Sequence, residues 1–151
     1  SAASDVYKRQ GRCSTNLQYD FFLYFCTQNE FIMTEHELLK ARWEEVVQRL
    51  SDTFTEGETL GVDGIIYLIG VQELGQLGRT YVKDEKVDLM HIGICKLLEP
   101  FGYYQYEFTD PDGWPHYRLV QNLPDLKPGE QTILMKKAIV QYFLEREFFD
   151  R

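Results

Sequence analysis

Cysteine is scarce in this sequence, and what there is cannot pair within a fold. Of three cysteines in 151 residues, Cys13 and Cys26 fall in an N-terminal stretch without usable periodicity, which leaves Cys95 alone in a helical segment. A lone thiol excludes an internal disulfide framework and suits a reducing compartment. Basic residues are also in deficit: 16 Lys and Arg against 24 Asp and Glu give a formal net charge of −8. Binding a phosphate backbone or an anionic lipid surface normally requires a basic surface that displaces counterions, so both partners are disfavoured. The aromatic run Phe21-Phe22-Leu23-Tyr24-Phe25-Cys26 is far short of the roughly 18 apolar residues that a membrane span needs. No glycine-rich nucleotide loop, zinc-ligand spacing or nucleophile elbow is found. What remains is an acidic chain whose 44% apolar and 15% aromatic content supplies one core, at a length that argues against two.

The sequence changes character at Met33. Thr34 and Glu37 form a capping box, in which the Thr hydroxyl accepts the residue-37 amide and the Glu carboxylate reaches back to residue 34, while Met33 and Leu38 occupy the flanking staple positions. Residues 33–151 therefore read as a single α+β domain and residues 1–32 as a non-native, disordered leader. Lys8, Arg9 and Arg12 ahead of Phe21 to Cys26 imitate a secretory signal. That apolar core is shorter than the ~7 to 15 residues of a working signal, and Thr27-Gln28-Asn29-Glu30 offers no small-residue cleavage site. Export is discounted and a cytoplasmic location expected. Ser1 to Gln10, SAASDVYKRQ, resembles translated library-adaptor sequence, and residues 11–32 then read as untranslated leader carried in frame. Lys8, Arg9 and Arg12 offset Asp5, Asp20 and Glu30, so the net charge of −8 belongs to residues 33–151.

Four helices and one hairpin are expected after Met33. Helix one runs from Thr34 to about Phe54 with an apolar stripe of Leu39, Trp43, Val46, Val47, Leu50 and Phe54. Helix two begins near Gly61 to Asp63, ends by Gly75 to Gly78, and is apolar nearly all round, as a central element should be. Its anomaly is Glu73, which projects between Ile66 and Ile69; a helix ending at Gln72 would remove it, with Gly70, Gly75 and Gly78 as the means. Helix three, Lys83 to Leu98, buries Val87, Met90, Ile94, Leu97 and Leu98 and places Asp88, His91 and Cys95 on one flank of that stripe. Tyr104, Tyr106 and Phe108 then alternate with Tyr103, Gln105 and Glu107, Asp110 to Gly113 make a turn, and Trp114 to Val120 return as a second strand. Pro128 opens helix four.

Three constellations could carry chemistry. Glu73, Asp88 and His91, joined by His116 if it points inward, would suffice for one divalent ion and a metal-dependent hydrolase or oxidase. The plainer account is a satisfied core cluster in which Asp88 orients His91 or Glu73 accepts its N–H. The hairpin offers Tyr103, Tyr104, Asp112, Trp114, His116 and Tyr117 as an aromatic anchor for a protein partner, against a Trp114 that folds back as a lid on the core. Cys95 one turn from His91 could be a nucleophile and its base, but both are expected on the buried face, where a small apolar role fits Cys95 better.

Three helices followed by a hairpin is also the order of a winged helix. DNA-reading versions carry Arg and Lys on the third helix and wing, whereas Asp110 and Asp112 stand at this tip and helix three sets Lys83, Lys86 and Lys96 against Asp84, Glu85, Asp88 and Glu99. From Met33 onward the chain resembles a family of small, conserved bacterial proteins of unknown function. The resemblance lies in Tyr67-Leu68-Ile69-Gly70-Val71-Gln72-Glu73-Leu74-Gly75, Asp88-Leu89-Met90-His91-Ile92, Phe101-Gly102-Tyr103-Tyr104 and Asp112-Gly113-Trp114-Pro115-His116. It implies a stand-alone cytoplasmic protein and brings no activity with it. The expectation is a non-catalytic interaction or regulatory protein using the hairpin face. No catalytic residue or cofactor is expected; a divalent metal is the alternative, and winged-helix DNA binding ranks third.

Overall fold

A computed structural model of the chain describes residues 33–150; the expectations for residues 1–32 lie outside them. The elements are α1 (Glu35–Phe54), α2 (Val62–Leu74), α3 (Lys83–Leu98), β1 (Tyr104–Thr109), β2 (Pro115–Leu119), α4 (Pro128–Glu145) and a 3-10 turn (Phe148–Asp150). The fold is α+β, with one antiparallel hairpin between α3 and α4. A compact unit runs from Leu39 to Arg151, so its boundary falls inside α1.

Glutamates at the third helical position start three of the helices. The Thr34 amide donates to Glu37 Oε2 at 2.8 Å and the Glu37 amide to Thr34 Oγ1 at 3.2 Å, completing the box. Glu85 and Glu130 reach back in the same way to the amides of Val82 (3.1 Å) and Lys127 (2.9 Å), where no hydroxyl is present to answer them. Each places a negative charge at the positive end of its helix. At the other end, α2 closes on Gly75, whose left-handed φ of 73° brings its N–H to the Val71 carbonyl. The helix therefore continues past Gln72, and Glu73 is a helical residue.

The main core joins the four helices of the described residues through Val46 and Leu50 of α1, Ile65, Ile66 and Ile69 of α2, Leu97 and Leu98 of α3, and Ile139, Tyr142 and Phe143 of α4. Within it two helices approach backbone to backbone. At the α2–α3 crossing a Cβ on Gly70 would lie 1.9 Å from the Leu89 carbonyl oxygen, and one on Gly93 would lie 2.4 Å from that of Ile66. A mid-helix glycine costs about 1 kcal/mol relative to alanine, a penalty tolerated here because only glycine lets the two backbones touch.

That crossing corrects the reading of α3. Its buried residues are Leu89, Ile92, Gly93, Cys95, Leu97 and Leu98, while Val87 is 62% exposed. The helix is turned to bring Gly93 inward, a position that hydrophobic periodicity does not register. Phe54 also departs from its stripe and is exposed. One turn earlier the buried Ser51 accepts the Leu60 amide at 3.0 Å, tying the end of α1 to the approach to α2.

The hairpin departs from simple alternation. Tyr106 faces Tyr117 but Phe108 faces His116, so the strand carries one extra residue, Glu107, as a bulge. Successive strand residues point to opposite faces. The bulge therefore removes Phe108 from the face of Tyr104 and Tyr106 and places it with His116 on the outer one. The turn closes as expected, with the Gly113 amide on the Asp110 carbonyl at 2.9 Å and Gly113 left-handed at φ 89°.

Candidate functional site

Glu73 is satisfied by residues that the sequence reading did not offer it. Its Oε1 accepts the Tyr142 hydroxyl at 2.7 Å and Arg146 Nη2 at 3.0 Å. The Arg146 guanidinium lies 3.5 Å over the Tyr142 ring and donates to the Tyr142 carbonyl at 3.2 Å. Burial first, and then the Glu73 bond, push the Tyr142 phenol far above the usual tyrosine range, so it remains a donor. The carboxylate on the apolar flank of α2 is thus a tie to α4, and the expected partnership with Asp88 and His91 is replaced.

Asp88 and His91 are both exposed, because turning Gly93 inward turns them out. The His91 Nε2 lies 3.5 Å from Cys95 Sγ, and its ring meets Tyr104 in a T-shaped contact at 6.2 Å. Cys95 is fully buried, and burial raises its thiol to about 11. A protonated, enclosed thiol is no nucleophile, which leaves Cys95 the small apolar role. His116 belongs to the hairpin tip, where its Nε2 is 2.9 Å from Asp110 Oδ2. Glu73, Asp88, His91 and His116 therefore do not assemble as a ligand set, and among the described residues no three His, Cys, Asp or Glu side chains are placed to share an ion.

The aromatic anchor also needs correction. Trp114 is half-buried and packs on Leu74, Tyr81 and Leu89, beside Tyr67 and Val71, as a lid. Tyr103 and Tyr104 lie against the main core. Tyr117 is half-buried too: desolvation, followed by the charges of Glu73 and Glu99, lifts its phenol well above the ordinary range. Of the six expected interaction residues, only Asp112 and His116 are exposed.

The outer hairpin face carries different residues. Phe108 is 52% exposed and stacks on His116 with ring centroids 4.6 Å apart and planes 7° from parallel. Asp110 holds the arrangement from below: its Oδ1 accepts the amides of Asp112 (3.0 Å) and Trp114 (2.9 Å) while Oδ2 meets His116. The His116 bond, then the Trp114 amide, keep the Asp110 carboxyl below its usual value. Arg118 donates to Gln105 at 2.7 Å and lies 3.7 Å from Glu107 on the same side. Gln76 Nε2 reaches the Asp112 carbonyl at 3.2 Å and fixes the tip against the end of α2. Simple alternation puts Phe108 on the face of Tyr104 and Tyr106, and a bulge without glycine leaves no signature in the sequence.

No helix among the described residues is long and apolar enough to cross a membrane. Comparison of the chain with family models, with curated proteins and with solved structures finds no match.

Proposed function

We propose that the protein is a non-catalytic interaction or regulatory protein that engages a protein partner through the outer face of its hairpin. The observation that carries this reading is Phe108, a large apolar ring presented to solvent in a fixed pose by its stack on His116 and the Asp110 bond behind it. An aromatic ring ordered before binding loses little entropy on docking, the property that makes such residues effective anchors. Glu107, Asp112 and the overall charge of −8 favour a partner whose apolar pocket is rimmed by basic residues, since complementary charge speeds encounter and excludes wrong partners.

The winged-helix order of elements supports DNA binding less well. On the exposed side of α3, Lys83 and Lys86 alternate with Asp84 and Asp88, and Asp112 at the tip would face the phosphates. The test is photo-crosslinking from position 108 in cells, with position 87 as the exposed control. A defined adduct from 108 that His116→Ala, which removes the stacked ring, weakens at unchanged thermal stability supports the reading. Equal labelling from both positions, or none from 108, rules it out.

A further inference from the structure

The attachment of α1 differs in kind from that of the other helices. Among the described residues, the principal backbone approaches run between α2 and α3, within the hairpin, and between these elements, α4 and the 3-10 turn; α1 takes part in none of these. Side chains hold it instead. Val46 and Leu50 enter the core. Along the neighbouring flank the guanidinium of Arg42 lies 4.5 Å over Phe149 and that of Arg49 lies 5.2 Å over Phe148, while Lys136 of α4 sits 5.0 Å over Trp43. Arg49 also donates to the Phe148 carbonyl. Glu45 serves both guanidiniums, at 2.7 Å from Arg49 and 3.6 Å from Arg42. The two rings are themselves seated, Phe148 against Phe143 at 4.7 Å and against Phe149 at 5.5 Å. Between them and α4 stands Glu147 with a φ of 54°, a backbone setting uncommon outside glycine that turns the chain sharply back toward α1.

We infer that Phe148 and Phe149 are a strap that clasps α1, and that α1 opens as a unit when the strap leaves while the α2–α3 pair stays folded. Cation–π contacts between long side chains and rings are individually weak and separately breakable, whereas a backbone-to-backbone crossing has no loose part. Elements anchored in the first way belong to the low-stability end of a native structure. Seating or unseating two phenylalanines then controls access to the buried face of α1, including Val46 and Leu50.

Native-state hydrogen exchange on the full chain tests this. In F148A/F149A the amides of residues 46–54 should lose protection by on the order of tenfold, with those of 65–74 and 89–98 held within about twofold. F148L/F149L, which keeps apolar bulk but removes the ring faces, should show the same selective loss in smaller measure. If F148A/F149A does not fold, R42Q/R49Q replaces it with the same expectation. Uniform loss across α1, α2 and α3, or full protection of α1 in both the alanine and leucine variants, overturns the strap.

Discussion

At the α2–α3 crossing two helices touch backbone to backbone because Gly70 and Gly93 put nothing between them. Around Val46 and Leu50, α1 is held by arginines laid on phenylalanine rings. The first contact is made by omission and admits one geometry. The second is made by long side chains with many rotamers and can be adjusted or undone. Close-packed interiors transmit any change in volume, so substitutions at the two contacts should differ sharply in effect, and the hairpin face should differ from both.

The largest effect is expected at the crossing. Gly70→Ala should destabilise the protein by about 3 kcal/mol, the upper range for overpacking, because the new methyl meets a carbonyl that cannot move alone. Denaturant unfolding measures it. A gain of about 1 kcal/mol, as helix propensity alone would give, would show that the two backbones are not in contact and would break the comparison.

Trp114→Ala should follow, at about 2 kcal/mol, as a half-buried lid removed from Leu74, Tyr81 and Leu89. Glu73→Ala should cost roughly 1 to 2 kcal/mol, since it leaves the buried Tyr142 hydroxyl without its acceptor. Tyr142→Phe in that background should recover part of the loss; a purely additive double mutant would separate the two residues.

The dependence on pH is smaller and has two signs. The Tyr104, Tyr117 and Tyr142 phenols and the Cys95 thiol are raised, chiefly by burial. Their contribution is complete below the ordinary values of 10.0 for phenol and 9.0 for thiol and is lost as pH rises beyond them. Asp110 is lowered, so its contribution is complete above the ordinary 3.8 and disappears as pH falls through the folded value. Melting temperature against pH should fall at both ends, and Tyr142→Phe should reduce the alkaline fall alone. Phe108→Ala should change stability least, by under about 0.5 kcal/mol as at an ordinary surface site. A loss approaching that of Trp114→Ala would place Phe108 in the core and remove the basis of the interaction reading.

Elements were more legible in the sequence than faces. Helix limits came from capping and breaking residues that act locally: Thr34 with Glu37, Gly75, and Pro128 at the start of α4. Which side of α3 is buried depends on Gly93, a residue without a side chain, and hydrophobic periodicity therefore favoured Val87 over the glycine surface. The anomaly of Glu73 was visible, but its resolution lies 69 residues away in Tyr142, beyond any local pattern. The hairpin and its turn followed from Asp110, Pro111 and Gly113. The outward turn of Phe108 did not, because the extra residue in the strand is a glutamate rather than a glycine.

A two-stranded ribbon leaves rows of unpaired amides and carbonyls along its open sides, a template on which further strands can add and fibres can grow. Here Glu107 kinks β1 so that no straight strand can lie along it. The Glu99 carboxylate already accepts the Tyr106 amide at 3.4 Å, and Pro115 opens β2 without an amide to give. The same inserted residue that brings Phe108 to the surface thus helps the ribbon stay two strands wide when the protein is concentrated.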